Sequence, residues 1–244
     1  MRIKNIDMEN FKPLVCVPIV EASVDKSLQT ARALVDDEVK VIEWRLDYLK
    51  ELSSPVLLDK ALKEMSAICS SSILIATIRT DREGGKVPFD EGKMKSYLSL
   101  IAKSKACDFV DVEYFTYENP RDVVSALKRL EQNVICSHHD FEETPQDDTI
   151  LSLLEEMDCS ECDVVKMAVM PNNTTDVTRF MDISNAFATE TNKLTITMSM
   201  GKLGRASRLS ADVTGSCVTF GSYLKASAPG QIDYRRLQEI INQD

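Results

Sequence analysis

The chain has 244 residues, 43% of them hydrophobic and 28% charged, with only 8 Gly and 8 Pro, which suits one large globular core and excludes a disordered or low-complexity protein. A formal net charge of -10 argues against a general nucleic-acid or anionic-membrane binder, since both gain from a positive field, so an anionic ligand needs a local cluster of arginines. No apolar run of signal-peptide length follows the first charges, and none approaches the roughly 20 residues of a membrane span, so the expected location is the cytoplasm.

The first dozen residues predict a small hairpin or arm. Beyond them, apolar runs alternate with amphipathic, helix-like stretches. Strands are predicted at LVCVPIV (14–20), VKVIEWRLD (39–47), SILIATIRT (72–80), DFVDVEYF (108–115), NVICSHHDF (133–141), DVVKMAVM (163–170), LTITMSM (194–200) and CVTFGSY (217–223). Helical stretches such as SLQTARALVDD and PRDVVSALKRLEQ separate them, DYRRLQEIINQ closes the chain, and the connection after MSMG is shorter. Parallel strands need crossovers of a dozen or more residues, and right-handed crossovers curl the sheet on itself, so the pattern predicts a single-domain (β/α)8 barrel spanning 1–244. A doubly wound open sheet is the alternative, weakened because no G-x-G-x-x-G follows the first strand.

Alternation assigns faces. Ile42, Trp44 and Leu46 share one side of their strand, while Val41, Glu43, Arg45 and Asp47 share the other, which must face the barrel interior. The same parity sends Thr77 and Arg79 inward, and leaves Val164, Lys166 and Ala168 inward opposite Val165, Met167 and Val169. An interior lined by Glu43, Arg45, Arg79, Asp111 and Lys166 makes a polar pocket rather than a hydrophobic core. Arg45, Arg79, Glu83, His139, Lys166, Met198 and Met200 all fall late in their strands or just after them, where barrel active sites lie.

Each candidate has a bland reading beside the chemical one. Lys166 is either half of a buried ion pair with Glu43 or Asp111, or a nucleophilic amine made reactive by desolvation and neighbouring cations. His138 and His139 are the only histidines, and alternation sends them to opposite faces, one into the pocket as a general acid/base and one outside. Two adjacent strand histidines cannot ligate one metal, so no metal site is expected. RTDREGGKVPFDEGK (79–93) reads as a solvated loop, or through its Gly pair as a phosphate cradle or mobile lid. KASAPGQID (225–233) reads as a second lid, and MGKLGRASRL (200–209) adds Arg205 and Arg208. The seven cysteines are odd in number, and several, such as Cys16, Cys107, Cys136 and Cys217, fall in strand-like runs, so a disulfide scaffold is not expected. CSEC (159–162) has no second pair to complete a zinc site.

Six segments in order, EWRLD (43–47), IRTDREGG (78–85), HDF (139–141), VVKMA (164–168), MSMGKLGRASR (198–208) and SAPGQ (227–231), resemble type I 3-dehydroquinate dehydratase, the Schiff-base enzyme of the shikimate pathway. The resemblance implies a cofactor-free (β/α)8 barrel, usually a homodimer, acting on 3-dehydroquinate in chorismate and aromatic amino acid biosynthesis. On this reading Lys166 is the imine-forming lysine, His139 the general acid/base, and Glu83 the carboxylate that orients His139. Glu43, Arg45, Arg79, Arg208, Ser227 and Gln231 then match substrate-binding groups, with Arg208 on the carboxylate, and Asp111, Met198, Met200 and Phe220 match the pocket walls. The rival readings are a Schiff-base aldolase on the same fold and a non-catalytic barrel that binds a small acid.

Overall fold

The computed structural model describes residues 1–9 and 12–243. An antiparallel hairpin of β1 (Arg2–Ile3) and β2 (Ile6–Asp7) precedes eight parallel strands. These are β3 (Leu14–Ile19), β4 (Val41–Arg45), β5 (Ile73–Thr77), β6 (Phe109–Glu113), β7 (Asn133–Asp140), β8 (Val164–Val169), β9 (Leu194–Ser199) and β10 (Val218–Ser222), each inside a predicted run. Seven helices follow β3 to β9 in turn: α1 (Val24–Asp36), α2 (Pro55–Ile68), α3 (Glu91–Ser104), α4 (Pro120–Lys128), α5 (Asp147–Asp158), α6 (Thr174–Glu190) and α7 (Arg205–Leu209). An eighth, α8 (Tyr234–Asn242), closes the ring. Local sequence sets their starts: Pro55 and Pro120 open α2 and α4, where a missing N–H costs nothing, while Asp90 and Asn173 accept from the amides of Lys93 and Asp176, each at 2.9 Å.

Strand alternation divides the core in two. Ile42, Trp44, Leu46, Val165, Met167 and Val169 pack outward against the helices, while Val41, Ile73, Ile75, Phe109, Ile135 and Val164 fill the lower barrel. Met8, with Ile3 and Ile6, plugs the bottom of that inner cluster, and Lys4 ties the hairpin to the wall through the carbonyls of Cys69 and Ser72 and the carboxylate of Asp108, at 3.0, 3.0 and 2.8 Å. The interior is therefore apolar and closed below, and polar groups enter only above. All seven cysteines are unpaired; Cys16 and Cys136 lie within strands, while Cys107 and Cys217 lie just before theirs.

The barrel closes through an irregular seam. β10 ladders with β3 on one edge, and its other edge is taken at the top by β11 (Ile232–Asp233), a two-residue strand too short to stand out in the sequence. Below it, β9 meets the start of β10 through a single bridge, with the Cys217 amide donating to the Thr195 carbonyl at 2.9 Å. Serine hydroxyls accept the remaining β9 amides: Ser216 takes that of Thr197 at 2.7 Å, and Ser207 on α7 takes that of Ser199 at 2.9 Å. Stitching α7 to β9 in this way fixes the residue next to Ser207, which is Arg208.

Candidate active site

A cavity opens at the carboxyl ends of the strands. Its floor carries Lys166, 3% exposed, whose ammonium lies 3.0 Å from Asp111 Oδ2 and 3.4 Å from Glu43 Oε1, and 4.8 Å from the centre of the Phe220 ring. Glu43 also accepts from the Thr77 hydroxyl at 2.9 Å. Burial pushes the Glu43 carboxyl up, but Lys166 and Arg45 outweigh it and hold it below its ordinary value.

Of the thirteen residues that the resemblance assigns to the site, Lys166, His139, Glu83, Glu43, Arg45, Arg79, Arg208, Ser227, Gln231, Met198, Met200 and Phe220 line this one cavity. Asp111 does not. It sits beneath the floor, one oxygen on Lys166 and the other taking Arg79 Nη2 and Ser137 Oγ, both at 2.7 Å, so it supports the site rather than walling it. Burial opposes ionisation of Asp111, but Arg79 and Lys166 prevail and hold it far below the carboxylate range. Arg79 is likewise engaged inward: besides Asp111, its Nη1 reaches Ser137 Oγ at 3.1 Å and Glu83 and Glu113, each at 3.2 Å. It organises three carboxylates at once. Glu113 shares Asp111's parity and could have been read from it; Ala168, which alternation turned inward, lines the cavity together with Gly84, Phe141 and Ala228, to which no role was given.

Glu83 stands between the two histidines. Its Oε2 meets His139 Nδ1 at 2.8 Å and its Oε1 meets His138 Nδ1 at 3.1 Å. Alternation separates the two rings, and only His139 lines the cavity, yet the loop after β5 brings one carboxylate above the strand end where both can reach it. An ionised carboxylate only accepts, so each Nδ1 carries its hydrogen, and His139 Nε2 is left as a lone-pair acceptor with no partner among the described residues. Burial pushes the His139 imidazolium down and Arg79 adds to it, and the Glu83 hydrogen bond only partly offsets them, leaving it lowered to about 4. Burial pushes Glu83 up, but hydrogen bonds from His138 and His139 and the charge of Arg79 bring it down to about 2. At neutral pH the pair is a neutral imidazole on a carboxylate, the form a general base requires.

These shifts fix a pH dependence of stability. The folded imidazole of His139 protonates at a lower pH than its unfolded counterpart near 6.5, so stability present above 6.5 is lost as pH falls to about 4. Glu83 extends the loss from its ordinary 4.5 toward about 2. Chemical denaturation across pH should show His139 alone contributing a loss of about 3 kcal/mol between pH 6.5 and 4. His139→Gln should flatten that limb, and an unchanged slope in the variant would contradict the assignment.

The second glycine of the 84–85 pair is required by packing. A Cβ on Gly85 would lie 1.9 Å from the Arg79 carbonyl oxygen, because the turn folds back on its own strand with the Gly85 amide donating to the Thr80 carbonyl at 2.7 Å. Gly85→Ala should therefore destabilise the fold by about 3 kcal/mol and displace Glu83; a thermal melt and activity equal to wild type would refute this.

Two loops cover the mouth. A Cβ on Gly230, at φ +82°, would meet the Gly201 carbonyl at 2.1 Å, and the Gly201 amide donates to the Pro229 carbonyl at 3.2 Å, so the loops holding MGKLGR and SAPGQ pack backbone to backbone. Gln231 accepts from the Ser227 amide at 2.7 Å and donates to its hydroxyl oxygen at 2.9 Å, which leaves the Ser227 O–H free to donate. Asp47 takes Arg45 Nε and Nη2, both at 2.8 Å, leaving Nη1 without a partner among the described residues. Arg208 is different. It is 1% exposed; among the described residues its side chain hydrogen-bonds only to Met198 Sδ and the Pro229 carbonyl, both at 3.3 Å, and its Nε has no partner; burial lowers it to about 10, still cationic at neutral pH. No carboxylate among the described residues pairs with it, so its charge awaits a ligand.

A strand lysine, a carboxylate-bound histidine and an unpaired guanidinium in one barrel mouth form the setting for imine chemistry on a small acid. The sequence model of the type I 3-dehydroquinase family matches residues 15–244. The chain belongs to that family. The family's reaction, dehydration of 3-dehydroquinate through a lysine Schiff base, makes it a hydro-lyase of the shikimate pathway. It is 35% identical to the 3-dehydroquinate dehydratase of Listeria innocua, an alignment covering 98% of this chain and 96% of that one. The Bacillus subtilis 3-dehydroquinate dehydratase is 32% identical, with 99% and 96% covered. Among solved structures, the Clostridium difficile type I enzyme with covalently modified comenic acid superposes with a TM-score of 0.94 at 32% identity, covering 99% of this chain and 96% of that one.

Proposed function

We propose that the cavity above Lys166 converts 3-dehydroquinate to 3-dehydroshikimate with Lys166 as the imine-forming amine and His139 as the general acid/base. The observation that carries this reading is the meeting of Lys166, the open Nε2 of His139 and the unpaired Arg208 in one enclosed space. Arg208 takes the substrate carboxylate as a bidentate fork, while Arg45 Nη1, the Ser227 hydroxyl and Gln231 meet its hydroxyl groups.

The Lys166 amine, once it sheds a proton, adds to the C3 ketone, and His139 assists loss of water from the carbinolamine. The resulting iminium keeps a positive charge where the ammonium was, so Asp111 and Glu43 are already placed to hold it. It withdraws electrons from C2, whose proton passes to His139 Nε2 and leaves an enamine. The enamine electrons expel the C1 hydroxyl, which leaves as water with the proton from His139. Water then hydrolyses the imine to product and free Lys166, so the net change is loss of one water. Met198, Met200 and Phe220 supply the apolar walls that hold the ring of the substrate.

The test is turnover: purified protein given 3-dehydroquinate should generate the ultraviolet absorbance of a conjugated enone carboxylate. Absence of that absorbance, with cleavage of a sugar phosphate instead, would favour the aldolase. The same reading places the enzyme in the cytoplasm as a homodimer, for which sedimentation at twice the chain mass is the check.

A further inference from the structure

We infer that His138, on the face of β7 turned away from the cavity, is a positioning residue that sets the orientation and basicity of the His139–Glu83 pair. The inference rests on the acid/base role proposed for His139.

Glu83 is 3% exposed and spends its two oxygens unequally. Oε2 receives both His139 Nδ1 at 2.8 Å and Arg79 Nη1 at 3.2 Å, whereas Oε1 has His138 Nδ1 as its one partner among the described residues. A buried carboxylate oxygen stripped of its donor carries the full penalty of desolvation, so without His138 the carboxylate would turn to recover a partner. Turning it moves the oxygen that holds His139. His138 is itself held: its ring meets Phe115 edge to face, with centroids 5.3 Å apart and planes at 83°. A chain of contacts therefore runs from Phe115 through His138 and Glu83 to the imidazole that lines the cavity.

The coupling also has a sign. A donor on Oε1 draws charge from the carboxylate and weakens its hold on a proton at His139, reinforcing the effect of Arg79 and Lys166, the cations that face His139 against Glu83 and Asp111. Removing the donor should make Glu83 a stronger acceptor and raise the basicity of His139.

The chain has two histidines, so replacing His138 leaves one imidazole to follow by NMR. In His138→Phe the His139 titration should move up by about one pH unit, and kcat should fall about tenfold with KM within about twofold. Asparagine puts an N–H donor at the place of Nδ1, so His138→Asn should return both quantities to near wild type. Should the phenylalanine variant not fold, His138→Leu removes the donor equally. An unmoved His139 titration in the variant lacking the donor would overturn the inference, as would equal loss of kcat in the asparagine and phenylalanine variants. The titration requires no turnover: a shift seen in a protein that does not dehydrate 3-dehydroquinate would support the positioning and reject only the proposed function.

Discussion

Lys166→Ala is expected to lower kcat by at least about 10⁵-fold, roughly 7 kcal/mol of barrier, while 3-dehydroquinate still binds. Without the amine there is no iminium, and the C2 proton must be removed from an ordinary ketone by a weak base. Binding survives because Arg208, Arg45 and the Ser227–Gln231 pair do not depend on Lys166. The variant also loses stability, about 3 kcal/mol, because Glu43 and Asp111 face each other at the barrel floor without the cation between them. That loss is common to the catalytic and the purely structural readings of Lys166. Turnover separates them: kcat within a few-fold of wild type, measured on folded variant, would return Lys166 to a buried ion pair.

Arg208→Met should act in opposite directions on binding and stability. The guanidinium is buried with no counter-ion among the described residues, so the unliganded fold bears its desolvation cost, and a methionine packing beside Met198 removes it. Stability should rise by about 2 kcal/mol. Binding should suffer, since the substrate carboxylate loses its charge-assisted fork; KM should rise on the order of 10²-fold, near 3 kcal/mol. Arg208→Lys should show a smaller version of the same pattern, because one ammonium replaces a bidentate donor. Steady-state kinetics paired with thermal melts read both effects, and a variant less stable than wild type with unaltered KM would refute the account.

Much of this site was legible in the sequence because a strand's side chains alternate with period two. That rule alone turned Glu43, Arg45, Arg79 and Lys166 inward, and the lateness of Arg45, Arg79 and Lys166 in their strands raised them to the mouth. Depth along the barrel axis was not legible, since it depends on the stagger between neighbouring strands. Asp111 shares the parity of the wall residues, yet its two oxygens are taken by Lys166, Arg79 and Ser137, and it does not line the cavity. Nor does alternation say what descends onto a strand end. His138 points away from the cavity as expected, yet it meets Glu83 because the loop after β5 returns over β7. β11 was hidden for another reason: two residues give no periodicity, and only the open edge of β10 makes them a strand. The charge balance of Arg208 was equally out of reach, because the absence of a partner is a property of the assembled pocket.

The imine on Lys166 is the intermediate on which every later step depends. Incubating the protein with 3-dehydroquinate and borohydride reduces any Schiff base to a stable secondary amine, which intact mass and peptide mapping then locate. The expected result is a single adduct, on the peptide containing Lys166 and absent from Lys166→Ala; turnover with no adduct, or an adduct on another lysine, would contradict it.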